Sequence, residues 1–111
     1  MKMYADFLKE TCGRSCFYDD NGFVTYYMKD STIVIDDMFI TKEKRGSKLR
    51  LHYYNVILDI AKENECKYVT SVINKHSSET TQIRTEYILK DQGFDQYTED
   101  EYMKYFSKEI I

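Results

Sequence analysis

The chain has no proline, no tryptophan, four glycines and three cysteines in its 111 residues. Without proline, helix ends must come from glycine, asparagine and capping side chains. Cys12, Cys16 and Cys66 are odd in number and lack paired spacing, which argues against a disulfide framework. Cys12 and Cys16 suit one face of a helical turn, but with His52 and His76 they give neither CxxC nor HxxxH spacing. No metal site is expected, and the thiols read as the reduced, semi-buried cysteines of a cytosolic protein. No apolar run approaches the roughly 20 residues of a membrane span. The first residues, MKMYADFLKETCG, lack the apolar core of a secretory signal. A net charge of −3 argues against a globally basic nucleic-acid binder. A cytoplasmic protein that contacts no membrane is the expectation.

What is present is a core's worth of apolar side chains. Hydrophobic residues make up 42% and aromatics 15%, with 11 tyrosines. That suffices for one small core, so residues 1–111 are read as a single domain. There are no repeats, low-complexity segments or linkers. The tyrosines come in near-pairs such as Tyr26–Tyr27 and Tyr102–Tyr105, which suit strands and also protein interfaces.

Periodicity sets the elements. Met3, Phe7 and Leu8, with Tyr4 alongside, predict a short helix with one buried stripe, ended by Gly13. SCFYDDNGFVTYYMKD predicts a hairpin whose Asn21–Gly22 pair suits a type I′ turn. Asp30–Ser31 makes a second turn, and TIVIDDMFI follows as a more central strand. Lys44 to Asn64 is the strongest helix, with Leu49, Tyr53, Val56 and Ile60 in one stripe. CKYVTSVIN reads as a buried strand. A last helix starts at Ser77 or Ser78, turns Ile83, Tyr87 and Ile88 inward, and ends at Gly93. Phe94 and EYMKYFSK give a final strand. The predicted order is α-β-β-β-α-β-α-β: a mixed α/β (α+β) fold of about five mostly antiparallel strands with three helices.

TKEKRGSKLRLHYYNVILDIAKEN carries the main functional signal. Lys42, Lys44, Arg45, Lys48 and Arg50 put five cations in nine residues where a helix starts. Cations there oppose the helix dipole, so an anionic ligand is favoured over a merely solvated turn. Asp36 and Asp37 are adjacent on the preceding strand, so at most one can face a cleft. The alternative is that the pair marks a strand edge or bulge. His52, His76 and Asn74 read as structural or loop-forming residues, and no Ser-His-Asp or Cys-His arrangement is present.

Three segments together carry a family resemblance. VIDDMFITKEKRGSKL resembles the strand and Q/R-x-x-G-x-G/A pyrophosphate loop of the GNAT family of N-acetyltransferases. CKYVTSVIN is similar to the family's next strand. IRTEYILKDQGF is similar to its helix ending in a Tyr-x-x-x-Gly-Phe pattern. The resemblance spans roughly residues 17–108. It implies a GNAT-like domain that transfers an acetyl group from acetyl-CoA to an unknown amine. It further implies acetyl-CoA contacts from Met38, Phe39, Ile40, Arg45, Gly46, Ser47, Lys48, Leu49 and Arg50. Asp37 would be the candidate base for the amine and Tyr87, with Tyr102, a candidate acid for the departing thiolate. With Arg45 at the Q/R position, Lys48 and Arg50 stand where the pattern has small residues, and Leu89 stands in place of the usual Tyr. These departures raise the alternative: a GNAT-fold protein without catalysis, of the bacteriophage accessory or virion type. Such a protein would work through protein binding in host cytoplasm or virion. Pairing through the last strand or the Tyr-rich hairpin leaves room for a homodimer. A nucleic-acid role for the basic loop is the weakest reading.

Overall fold

The computed structural model describes residues 1–46 and 48–110. Its elements are α1 (Lys2–Cys12), β1 (Ser15–Asp19), β2 (Gly22–Lys29), β3 (Thr32–Ile40), α2 (Leu49–Glu63), β4 (Tyr68–Asn74), α3 (Glu79–Asp91), β5 (Asp95–Glu99) and β6 (Met103–Glu109). A 3-10 turn, Lys42–Lys44, lies between β3 and α2. The six strands form one mixed sheet in the order β1-β2-β3-β4-β6-β5. Only β3 and β4 pair in parallel. The fold is thus the expected mixed α+β sheet with three helices, with one more strand than predicted. The extra strand is β5, exposed along its whole length and so without the apolar alternation that announces a strand.

One core holds the sheet to α2 and α3. Val24, Ile33, Ile35, Val69, Ile73 and Phe106 from the sheet meet Tyr53, Tyr54, Ile57 and Ala61 of α2 and Leu89 of α3, with Phe94 closing it. At about 25 cal/mol per Å2 of apolar surface, each fully buried large side chain contributes roughly 1.5–3 kcal/mol. The buried face of α2 is Tyr53, Tyr54, Ile57 and Ala61; of the predicted stripe Tyr53 is in it, Leu49 and Ile60 are half-buried against the core, and Val56 stays outside it. The helix also starts five residues later than Lys44, because Gly46 takes a positive φ of 86° and breaks the run. On α3 Leu89 is buried and Ile88 packs against the core as predicted, while Ile83 and Tyr87 are exposed. On α1 only Leu8 is buried; Met3 and Phe7 face out.

The turns also redistribute. Positive φ falls on Asp30 and Ser31, which join β2 to β3, and not on Asn21 or Gly22. At the first hairpin the Asp19 carboxylate accepts the N–H groups of Asn21 (2.9 Å) and Gly22 (3.2 Å) instead. Gly22 is needed for a different reason: a Cβ there would lie 2.0 Å from the Phe39 carbonyl oxygen across the β2–β3 ladder. Gly13 does meet its prediction, capping α1 in the left-handed region at φ 69°.

Candidate functional site

The parallel ladder between β3 and β4 is short. It runs from Thr32↔Tyr68 to Val34↔Thr70 and stops, although both strands continue. Beyond that point the strands splay. The cause is visible in β3, where Thr25 of β2 opposes Asp37 while Tyr26 opposes Ile35, leaving Asp36 as an extra residue. This is a β-bulge, the alternative reading of the Asp36–Asp37 pair. The buried Thr25 hydroxyl fills it, accepting the Asp37 N–H at 2.9 Å. Across the bulge the core-facing parity switches from Ile33 and Ile35 to Met38 and Ile40.

Two adjoining cavities open from the splay. The inner one, about 270 Å3, lies between Ile35–Met38 of β3 and Ser71–Asn74 of β4, with Arg50 and Tyr54 of α2 on its wall. The outer one, about 820 Å3, lies under the loop before α2 and is lined by Met38, Phe39, Ile40, Arg45, Gly46, Arg50, Thr81, Arg84, Thr85 and Ile88. Both are bounded by Met38, Arg50, Thr81 and Thr85, so the Arg50 side chain stands where they meet. Three guanidinium groups and no carboxylate line the outer cavity among the described residues. Among the described residues, helix α2 begins there with no side-chain cap and no acidic residue in its first turn. Its first N–H groups have no partner within the helix and carry partial positive charge.

The candidate residues distribute as follows. Met38, Phe39, Ile40, Arg45, Gly46 and Arg50 come together around the outer cavity, and Asp37 lines the inner one. Lys48 sits at the N-cap of α2 with its side chain exposed, and Leu49 packs against the core without lining either cavity. Ser47 lies outside the described residues. Tyr87 is 72% exposed and lines neither cavity. Two residues along a helix is about 200° of rotation, which carries Tyr87 away from the direction of buried Leu89. Tyr102 is also exposed. Arg45 folds back: its Nε donates to the Ile40 carbonyl at 3.1 Å and its guanidinium stacks 5.5 Å over the Phe39 ring.

Several lining residues were not anticipated. Thr81, Arg84 and Thr85 fall at i, i+3 and i+4 on α3, a polar face that an apolar-stripe reading passes over, and they stand beside Ile88, which was expected to face inward. Tyr54 and Ser71, 4% and 5% exposed, bring hydroxyls to the inner wall. Burial pushes the Tyr54 phenol up, opposed by the Arg50 guanidinium and the Ser71 hydroxyl beside it. Burial, together with repulsion from Asp36, also raises the Asp37 carboxyl, with Arg14 partly offsetting this. Asp36 itself is ion-paired to Arg14, which stacks 4.9 Å over Tyr27.

Away from the cleft, the three cysteines are free, and no group of three or more His, Cys, Asp or Glu residues is placed to hold a metal among the described residues. No helix of the described residues is long and apolar enough to cross a membrane.

Solved structures share this fold. An IAA acetyltransferase from Bacillus cereus superimposes with a TM-score of 0.74 over 98% of this chain and 84% of its own, at 9% identity. An acetyltransferase of the GNAT family from Staphylococcus aureus does so with a TM-score of 0.66 over 81% of this chain and 60% of its own, at 13% identity. The fold is that of the GNAT acetyltransferases. A Bacillus subtilis acetyltransferase solved in complex with CoA has the same GNAT-like frame, at TM-score 0.63 and 9% identity over 96% of this chain and 84% of its own. No family model and no curated protein matches the sequence. At these identities the likeness is one of fold, and the chemistry rests on the cleft itself.

Proposed function

We propose that the chain is a small GNAT-like N-acyltransferase that takes acetyl-CoA as donor and an amine as acceptor. The observation that carries this reading is the outer cavity: Arg45, Arg50 and Arg84, the uncapped start of α2 and no carboxylate, opening into a splayed strand pair. Such a surface suits a polyanion such as a pyrophosphate. These residues fit CoA: Arg84 and the N–H groups of the first α2 turn would hold its phosphates, and Met38, Phe39 and Ile40 would flank its arm. Bound acetyl-CoA would supply a thioester carbon open to attack by nitrogen. Asp37, raised by burial, takes a proton from an ammonium more readily than an ordinary carboxylate does. The two adjoining cavities would hold donor and acceptor side by side, which lowers the entropic barrier to their reaction.

A second reading, a GNAT-fold protein that binds a partner protein without catalysis, is favoured by Leu89 in the core and by the outward Met3, Phe7, Ile83 and Tyr87. Thermal denaturation with and without acetyl-CoA separates the two. A ligand at 100 times its Kd stabilises by about 2.7 kcal/mol, which is a shift of about 10–20 °C for a domain this size. An unmoved Tm at millimolar acetyl-CoA and millimolar CoA discards the transferase reading.

A further inference from the structure

The inner cavity divides its charges between two walls. On one wall Arg50 stands beside the buried hydroxyls of Tyr54 and Ser71. On the other stand Asp36 and Asp37. Asp36 is already neutralised by Arg14. Asp37 has no cation within ion-pair distance among the described residues, and Arg50 has no carboxylate. The two line one cavity without pairing to each other. Between them the lining mixes apolar Ile35, Met38, Val72 and Met103 with polar Asn74, Ser77, Thr81 and Thr85.

Arg50 is half-buried and Asp37 is exposed, and neither has a charged partner among the described residues, so the cavity offers one unpaired charge of each sign. A ligand with a single charge would relieve one and leave the other. A ligand with both relieves both. We propose that the inner cavity binds a small amino acid, a zwitterion whose carboxylate meets Arg50, Tyr54 and Ser71 and whose ammonium meets Asp37. The volume of about 270 Å3 leaves room for a molecule of this class. It equals roughly nine waters at ~30 Å3 each. The guanidinium offers paired donors in the geometry of a carboxylate, and the two hydroxyls add further donors. The ammonium in turn relieves the repulsion that Asp36 exerts on Asp37.

The binding stands on the cavity alone. Its role as acyl acceptor rests on the transferase reading. In that role the ammonium gives one proton to Asp37. As the nitrogen–carbon bond forms and the carbon–sulfur bond breaks, a second proton passes from nitrogen to the departing sulfur.

Calorimetric titration of the full chain without acetyl-CoA tests the binding. The probes are the twenty common amino acids and the series from β-alanine to 6-aminohexanoate. Each is paired with the amine and the acid that carry only one of its charges. At least one zwitterion binds at millimolar concentration or tighter and about tenfold tighter than both of its singly charged partners. Asp37→Asn and Arg50→Gln each remove that preference while Arg50→Lys keeps part of it, and the Tm of every variant is measured alongside. Absence of binding by every zwitterion overturns the proposal, as does an acid or amine that binds as tightly as its zwitterion. Loss of acetyl-CoA binding with zwitterion binding intact sinks the transferase reading and leaves this one standing.

Discussion

Replacing Gly22 by alanine probes the joint that holds the cleft's β3 wall in place. Gly22 pairs with Ile40, and Thr41 N–H donates to the Asn21 carbonyl at 2.8 Å just beyond. The added Cβ would lie 2.0 Å from the Phe39 oxygen and 3.0 Å from the Ile40 Cα. Those are backbone atoms, so no side chain can swing aside. Ordinary contact begins near 3.4 Å, so the strands must part by more than 1 Å at this end. That opening gives up the ladder bonds at Gly22 and the Thr41 bond. At about 1 kcal/mol each, two or three lost hydrogen bonds amount to roughly 2–3 kcal/mol. For a chain of this size that is a fall in Tm of about 10–20 °C by differential scanning calorimetry. Gly13→Ala is the matched control. Its Cβ meets nothing within 4 Å, and the cost is only the positive φ of 69°. That is roughly 1 kcal/mol, with a smaller fall in Tm. The steric argument fails if Gly22→Ala melts within a few degrees of wild type, or if the two variants are destabilised equally.

Two further outcomes follow from the same geometry. Arg84→Gln weakens CoA binding: a guanidinium about 6 Å from a phosphate at an effective dielectric near 20 contributes roughly 2–3 kcal/mol, about halved by physiological salt. Calorimetry should show a Kd raised about 5- to 10-fold, with the difference shrinking in higher salt; equal affinity at low salt removes Arg84 from the site. Asp19→Asn tests the anchor of α2, where burial works to raise the carboxyl but the Tyr53 hydroxyl at 2.6 Å, the Asn21 and Gly22 N–H groups and nearby His52 hold it below its ordinary value. A depressed carboxylate contributes stability above its unfolded pKa of about 3.9 and loses it as pH falls through the folded value. The variant therefore melts lower than wild type at pH 7, and the gap closes as the pH drops below about 4; a gap that is constant with pH contradicts the assignment.

The order of the main elements, the Gly13 cap and the cationic loop were legible from the residues. Each depends on short-range chemistry: period, capping and local charge. The sides that the helices present were not. Leu49, Val56 and Ile60 fit an apolar stripe as well as Tyr54, Ile57 and Ala61 do, and α3 carries both an apolar pair, Ile83 and Tyr87, and the buried Leu89. Which stripe turns inward depends on where the sheet lies, a fact outside any one segment. The same holds for the turns. Asn21–Gly22 has the composition of a type I′ turn, yet strand pairing reserves Gly22 for close approach and gives the positive φ to Asp30 and Ser31.

The sequence alone fixed the ingredients of the site: a run of cations at a helix start, and two adjacent aspartates on the strand before it. Local covalent order was enough for that. Only the tertiary structure decided their use, because the bulge at Asp36, the early end of the β3–β4 ladder and the approach of α3 are long-range events. Together they bring Arg84, Thr81, Tyr54 and Ser71 to the cations from segments up to 39 residues away in the chain (Arg84 against Arg45). They turn Tyr87 out, and they stand Arg50 at the meeting of two cavities rather than in solvent.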